Sequence, residues 1–194
     1  IDGDKIMYVC GKYLKDQGKL NKNTVVTTIM SNLGLYKSLE REGINYEQTL
    51  VGDKYVAENM MENNYSIGGE QSGHIIFSRY SATGDGILTA LMLMEACVEK
   101  KATLCDLAKE MVVYPQLLRN VRVEDKVAAR ENPQVQKAVQ EVSDELGGDG
   151  RILVRESGTE PLIRVMVEAG TDEICHEKVA KVVKVMEAEG LIVG

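Results

Sequence analysis

Two short stretches hold side chains that could do chemistry. The first is Arg155-Glu156-Ser157-Gly158-Thr159-Glu160-Pro161, set between two apolar runs of strand length. A guanidinium is a planar fork that matches two phosphate oxygens at once. Ser157 and Thr159 add hydroxyl donors. Gly158 would allow positive φ, so that neighbouring N–H groups converge on an anion as a nest. Pro161 restarts an extended strand. The set suits a phosphate clasp. A plain loop, with Arg155 paired to Glu156 or Glu160, uses the same residues, since Ser, Gly and Thr are ordinary in turns.

The second stretch is Ser66–Phe77, "SIGGEQSGHIIF". Gly68 and Gly69 open a tight loop after a short strand, and Gly73 closes it. Glu70 and Ser72 on such a loop suit hydrogen bonds to vicinal sugar hydroxyls. His74 could donate to a phosphate or move a proton. Taken alone, His74 is more simply a satisfied core histidine on a polar hairpin. Gly52 and Asp53 in "LVGDKYV" sit where a strand meets a helix, and such N–H groups favour an anion, with Lys54 adding charge. An ordinary helix cap explains them equally well. "ATGDGIL" is a similar, structural junction. No GxxxxGK[ST] stretch occurs. "IDGD" at the start imitates a metal loop, but magnesium needs several converging carboxylates and only Asp2 and Asp4 are available. They are read as helix caps, and no metal is assigned.

Composition narrows the class. The chain has 194 residues, a net charge of −7, four cysteines and two histidines. An acidic balance argues against a general nucleic-acid binder. No uncharged apolar run reaches the length of a membrane span. No signal sequence is visible. The cysteines form no Cys-x-x-Cys pair, so a zinc site is not expected. Each lies in an apolar helical context, as buried thiols in a reducing cytoplasm would. The start at Ile1 reads as a piece of something longer.

The elements that must hold the two stretches fall into two groups. From Ile1 to about Leu118, helices alternate with strands, which implies parallel βαβ units. The first helix places Ile6, Val9, Cys10, Tyr13 and Leu14 on one face and stops at Gly18. "NTVVTTIM" and "INYEQTLV" read as strands. A helix capped by Ser31 ends at Gly43, and another, capped by Asp53, follows the second strand. "GHIIFS" is a further strand. "GDGILTALMLMEACVEKK" is apolar nearly all round in its first half and should be a buried helix. From residue 119 the order becomes strand, helix, strand, strand, helix, a small α+β domain with an antiparallel sheet. Its first strand is expected at "NVRVED". Its helices present Val135, Ala138, Val139, Val142 and Leu146, then Cys175, Val179, Val182, Val183 and Met186. Ile163, Val165 and Val167 should pack on these helices, with Arg164 on the other face. The boundary is drawn after Leu118, giving domains 1–118 and 119–194.

"GEQSGH", followed by "RESGTEPLIRVMVE", resembles the α-D-phosphohexomutase superfamily, in the wording of its bacterial phosphoglucosamine mutases. "VGDKYV" and "TGDGILTAL" fit the same family, and the resemblance spans the whole chain. It implies an isomerase of four domains, roughly twice this length. A serine of the first domain carries phosphate, and an Asp-Gly-Asp-Gly-Asp-Arg loop holds magnesium. This chain resembles the third domain, without that loop, and the fourth, a TATA-binding-protein-like domain. The resemblance implies that Glu70 and Ser72 bind sugar hydroxyls, with His74 beside them as a polar contact or proton carrier. It implies that Arg155, Ser157, Gly158 and Thr159 hold the phosphate not being transferred. Lys54 stands where the family usually has Arg, which keeps charge and loses the fork. The implied reaction interconverts glucosamine 6-phosphate and glucosamine 1-phosphate through a sugar 1,6-bisphosphate. It needs Mg2+ in the full-length enzyme and serves UDP-N-acetylglucosamine and cell-wall synthesis in the cytoplasm. The implied partners are a hexosamine phosphate and the missing N-terminal domains, with no nucleic acid and no membrane. An oligomer is compatible with the resemblance, and the fragment itself is expected to be inactive; the rival readings are a phosphomannomutase or phosphoglucomutase, and a non-catalytic phosphosugar-binding module.

Overall fold

The computed structural model describes residues 1–193. They divide into two compact units, Ile1–Val113 and a second beginning at Tyr114.

The first unit runs α1 (Gly3–Asp16), β1 (Thr24–Thr28), α2 (Leu33–Arg41), β2 (Asn45–Thr49), α3 (Asp53–Asn63), β3 (Ile67–Gly69), β4 (Ile75–Phe77), α4 (Gly86–Lys100) and α5 (Leu104–Ala108). Its sheet has the order β2-β1-β3-β4. β2, β1 and β3 are parallel, as the alternation implies, while β4 returns antiparallel to β3. The segment from Glu70 to His74 is too short for a crossover, so the chain makes a hairpin there.

Alternation along the strands sends side chains to both faces of the sheet. Val25, Ile67, Ile75 and Phe77 join Met7, Cys10 and Leu14 of α1 and Leu35 and Leu39 of α2 in the larger core. Val26 and Ile76 pack with Val56 and Met60 of α3 on the other side. Asp2 caps α1 by accepting from the Lys5 N–H at 3.1 Å. Asp4 is fully buried and accepts from the Asn32 N–H at 2.7 Å. It therefore braces the start of α2 and is no second cap.

Several local expectations change. Asn32, not Ser31, caps α2, through the Gly34 N–H at 2.9 Å, while Ser31 bonds the Thr27 hydroxyl. Asp53 is the first residue of α3 rather than its cap. Gly68 and Gly69 lie inside β3, not in a loop. A Cβ on Gly68 would stand 2.6 Å from Met60 Sδ, and one on Gly69 2.5 Å from the His74 carbonyl. These glycines serve close packing rather than a turn. α4 is not buried all round. Ile87, Leu91, Met94 and Val98 are more than half exposed, at 78, 54, 55 and 73%, and form one stripe. An apolar composition says that a helix can be covered, not that its own domain covers it. Among the cysteines, Cys10 and Cys175 are buried, but Cys97 is only partly covered and Cys105 is exposed.

The second unit runs β5 (Gln116–Arg122), α6 (Lys126–Glu131), α7 (Pro133–Leu146), β6 (Arg151–Glu156), β7 (Leu162–Glu168) and α8 (Asp172–Ala188). The sheet order is β5-β7-β6, all antiparallel. β5 starts and ends earlier than "NVRVED" suggests, because Gln116 pairs with Glu168 and Arg122 with Leu162. Ile163, Val165 and Val167 pack against Val135, Ala138 and Val142 of α7 and Cys175, Val179, Val182 and Met186 of α8, as expected. Val139 and Val183 are only partly buried. α6 is an extra short helix capped by Asp125 and anchored by buried Ala129.

Candidate functional site

In the first unit, β1, β2 and β3 all end at one edge of the sheet, where parallel α/β sheets offer their loops to ligands. The loop after β3 holds Glu70, Ser72 and His74. It is a tight one: the Glu70 N–H donates to the His74 carbonyl at 3.1 Å and the Gly73 N–H to the Glu70 carbonyl at 2.9 Å. Gly73 has φ +101°, a region that side chains disfavour. The loop rests on the start of α1, where the Gly3 N–H donates to the Gln71 carbonyl at 2.9 Å. A Cβ on Gly3 would come within 2.0 Å of the Glu70 carbonyl oxygen. "IDGD" is thus a brace for this loop, a role that sequence reasoning misses. Only the glycine hints at it.

The loop after β2 joins the same cluster. Glu70 Oε1 accepts from the Gly52 N–H at 3.0 Å. The Glu70 side chain is only 14% exposed, and its other oxygen lies 3.9 Å from His74 Nδ1. Ser72 Oγ is 3.1 Å from the same nitrogen. His74 is 63% exposed, so it is not a core histidine. Glu70, Ser72 and His74 therefore stand together. Gly52, at φ +133°, ties the turn before Lys54 to them. Lys54 itself lies over the Tyr55 ring, with Nζ 4.9 Å from its centroid. A cavity of about 610 Å³ runs along α3, β4 and α4, lined by Met60, Ile76, Tyr80 and Met92 among others. None of these loop residues lines it.

In the second unit, β6 and β7 place Arg155 directly opposite Arg164. Like charges in that position repel. Burial and the neighbouring Arg164 hold the Arg155 guanidinium below its ordinary pKa. No acid pairs with Arg155 among the described residues; Glu156 turns instead to Arg130, at 3.0 Å. Arg164 has Glu160 at 3.8 Å, and its Nη2 reaches Ser157 Oγ at 3.4 Å. Its Nε is buried and has no hydrogen-bond partner. The plain-loop alternative, Arg155 neutralised by Glu156 or Glu160, is therefore not what forms.

Ser157 is 1% exposed, with its N–H donating to the Leu162 carbonyl at 2.9 Å. Gly158 and Thr159 that follow are exposed. Gly158 does not take positive φ, contrary to expectation, and a Cβ there would meet nothing within 4 Å. Neither backbone nor packing demands the glycine. The space a side chain would take there is open.

Among the described residues no three His, Cys, Asp or Glu side chains converge to hold a metal ion. The residues present do not fit magnesium, and no step here runs through it. No helix among them is long and apolar enough to cross a membrane.

Comparison with known proteins decides the family. Residues 2–114 match the family model described as phosphoglucomutase/phosphomannomutase, alpha/beta/alpha domain III, and residues 118–191 match its C-terminal domain. The chain belongs to the phosphoglucomutase/phosphomannomutase family. It is similar to phosphoglucosamine mutases of Lachnoclostridium phytofermentans, 58% identical over 99% of this chain, and Bacillus subtilis, 56% identical over 97%. It spans only 43% and 42% of those two proteins, and so corresponds to a C-terminal part of such an enzyme. Its fold is also that of Aspergillus fumigatus N-acetylphosphoglucosamine mutase in complex with GlcNAc-6P and magnesium. That match has a TM-score of 0.76 and 22% identity, over 95% of this chain and 46% of the other. A further structure of the Aspergillus enzyme, a serine-to-alanine variant, is a complex with glucose 1,6-bisphosphate.

Proposed function

We propose that this chain is the sugar- and phosphate-binding part of a phosphoglucosamine mutase. The observation that carries the reading is the pair Arg155 and Arg164, opposed across two strands beside the Ser157–Thr159 loop with no carboxylate shared between them. Two guanidiniums so placed are relieved by a dianion. A phosphate bound there takes the Arg155 fork, the Thr159 hydroxyl and the open backbone at Gly158, with the Ser157 hydroxyl beside Arg164 behind them. The names of the relatives supply the sugar, glucosamine.

In the first unit Glu70 accepts from ring hydroxyls, and Ser72 accepts or donates. His74, in reach of both, contributes a polar contact or carries a proton. Lys54 adds positive charge at the same edge. The reaction is the interconversion of glucosamine 6-phosphate and glucosamine 1-phosphate through the 1,6-bisphosphate. That intermediate must turn round, so each end of the sugar is held in turn. A clasp of guanidinium fork, hydroxyls and backbone recognises the phosphate and not the ring, and accepts either end. Mg2+ and the phosphoryl-carrying serine belong to the part of the protein outside this chain, so the chain alone binds without turnover. The whole enzyme works in the cytoplasm, towards UDP-N-acetylglucosamine.

Side-by-side turnover of glucosamine, mannose and glucose 6-phosphates, by a protein that joins this chain to its preceding part, tests the reading. Glucosamine 6-phosphate should give the highest kcat/KM. A higher value for mannose or glucose would replace the assignment with another hexose phosphate mutase.

A further inference from the structure

α6 has no counterpart among the elements expected from sequence, and its position beside the loop has a chemical consequence. Lys126 opens this helix, and its Nζ donates to the Ser157 carbonyl at 2.8 Å. One turn on, Arg130 Nη1 meets Glu156 Oε1 at 3.0 Å. The two cations share a helix face, at i and i+4. The helix is fixed in turn: Asp125 caps it at the Val127 and Ala128 N–H groups, and Ala129 is 1% exposed in the core.

The peptide unit after Ser157 is planar and trans, since none of the described peptide bonds is cis. Its carbonyl and its N–H therefore point in opposite directions. A carbonyl held by Lys126 aims the Gly158 N–H away from α6. That N–H makes no hydrogen bond within the described residues. A cation at the carbonyl oxygen also polarises the amide and strengthens its N–H as a donor. Ser157 is fixed on its other sides as well, by the Leu162 carbonyl and by Arg164. Its amide has little freedom to turn unless Lys126 lets go.

We infer that Lys126 is a positioning residue, which sets the direction and donor strength of the Gly158 N–H for a bound phosphate without touching the phosphate itself. The inference rests on the phosphate clasp proposed above. It assigns to the loop a backbone donor oriented from behind, and to Glu156 a part in keeping Arg130, rather than Arg155, as its partner.

The test is a titration of the 194-residue chain with inorganic phosphate, followed at the Gly158 and Thr159 amides by 1H–15N NMR. The wild type should show a downfield shift of the Gly158 amide proton. Lys126→Met keeps the stem and removes the donor. It should bind phosphate roughly tenfold more weakly, the loss of one well-aligned charged hydrogen bond, with most of the Gly158 shift gone. Lys126→Arg restores a charged donor and should recover most of the affinity. A role in stability alone would leave affinity and the Gly158 shift unchanged in the folded Met variant. Equal affinity and equal shift in Lys126→Met and wild type overturn the inference and leave the clasp standing. Silence of residues 155–159 in the wild type itself overturns the clasp, and this inference with it. Should Lys126→Met fail to fold, Lys126→Gln is read in the same way, with a neutral donor and a reduced Gly158 shift expected.

Discussion

Arg155→Met should make the second unit more stable and, at the same time, blind to phosphate. Arg155 and Arg164 face each other across β6 and β7, where opposed Cβ atoms lie about 5 Å apart. Two unit charges about 6 Å apart repel by about 0.7 kcal/mol in water and about 3 kcal/mol at an effective dielectric of about 20. Arg155 is only half-buried, so the screened end applies, about 0.5–1 kcal/mol. The lowered pKa of Arg155 has the matching sign: the fold disfavours its charge. Methionine keeps the stem's packing and removes the repulsion. In phosphate-free buffer at low salt, the urea midpoint of this unit should therefore rise. About ten millimolar phosphate should stabilise the wild type by about 1.4 kcal/mol if Kd is near 1 mM, and the variant hardly at all. Arg155→Lys should fall between, keeping charge without the fork. If Arg155→Met unfolds more easily without phosphate, and still gains stability with it, the arginine is structural and the reasoning fails.

Three further outcomes follow from the geometry. Glu70→Ala leaves the Gly52 N–H without its acceptor and should destabilise the first unit by about 1–2 kcal/mol, whereas Glu70→Gln keeps an acceptor and should lose less than half of that; thermal unfolding of the three proteins separates them. Gly3→Ala puts a Cβ 2.0 Å from the Glu70 carbonyl oxygen, against backbone that cannot easily yield, and should cost about 1–3 kcal/mol while shifting the NMR signals of residues 70–74. Burial pushes the Cys10 thiol up to about 12, so it stays protonated between about pH 7 and 9 and should resist a thiol reagent that labels exposed Cys105 at once; equal labelling rates in the folded protein would contradict this burial.

Most of the helices and strands are legible in the sequence because their period is written in apolar residues. Val25 and Val26 inside a β-branched run, and the stripe on α7, leave little choice of element. The proposed clasp is only half legible, since Arg155, Ser157 and Thr159 suit a phosphate by type but suit a plain turn equally well. What sequence hides are contacts between distant segments. Gly3 under Glu70, Glu70 on Gly52, and Lys126 behind Ser157 join residues at least 18 positions apart, and no local period records them. Gly158 misleads for a related reason: its φ is ordinary and the space beside it is open, neither of which sequence records. α4 misleads because apolar residues state a capacity for burial, and Ile87, Leu91, Met94 and Val98 remain uncovered.

The central claim is that each unit of this chain carries a loop that recognises part of an amino-sugar phosphate: the phosphate at residues 155–159, the sugar hydroxyls at residues 70–74. Titration of the 194-residue chain with glucosamine 6-phosphate, read residue by residue by 1H–15N NMR, tests it most directly. Shifts should gather at residues 155–159 and Arg164, with a second group at residues 70–74, and unphosphorylated glucosamine should leave the first group silent. A ligand that moves neither loop, or shifts that gather along the α3–β4–α4 cavity instead, would contradict the account.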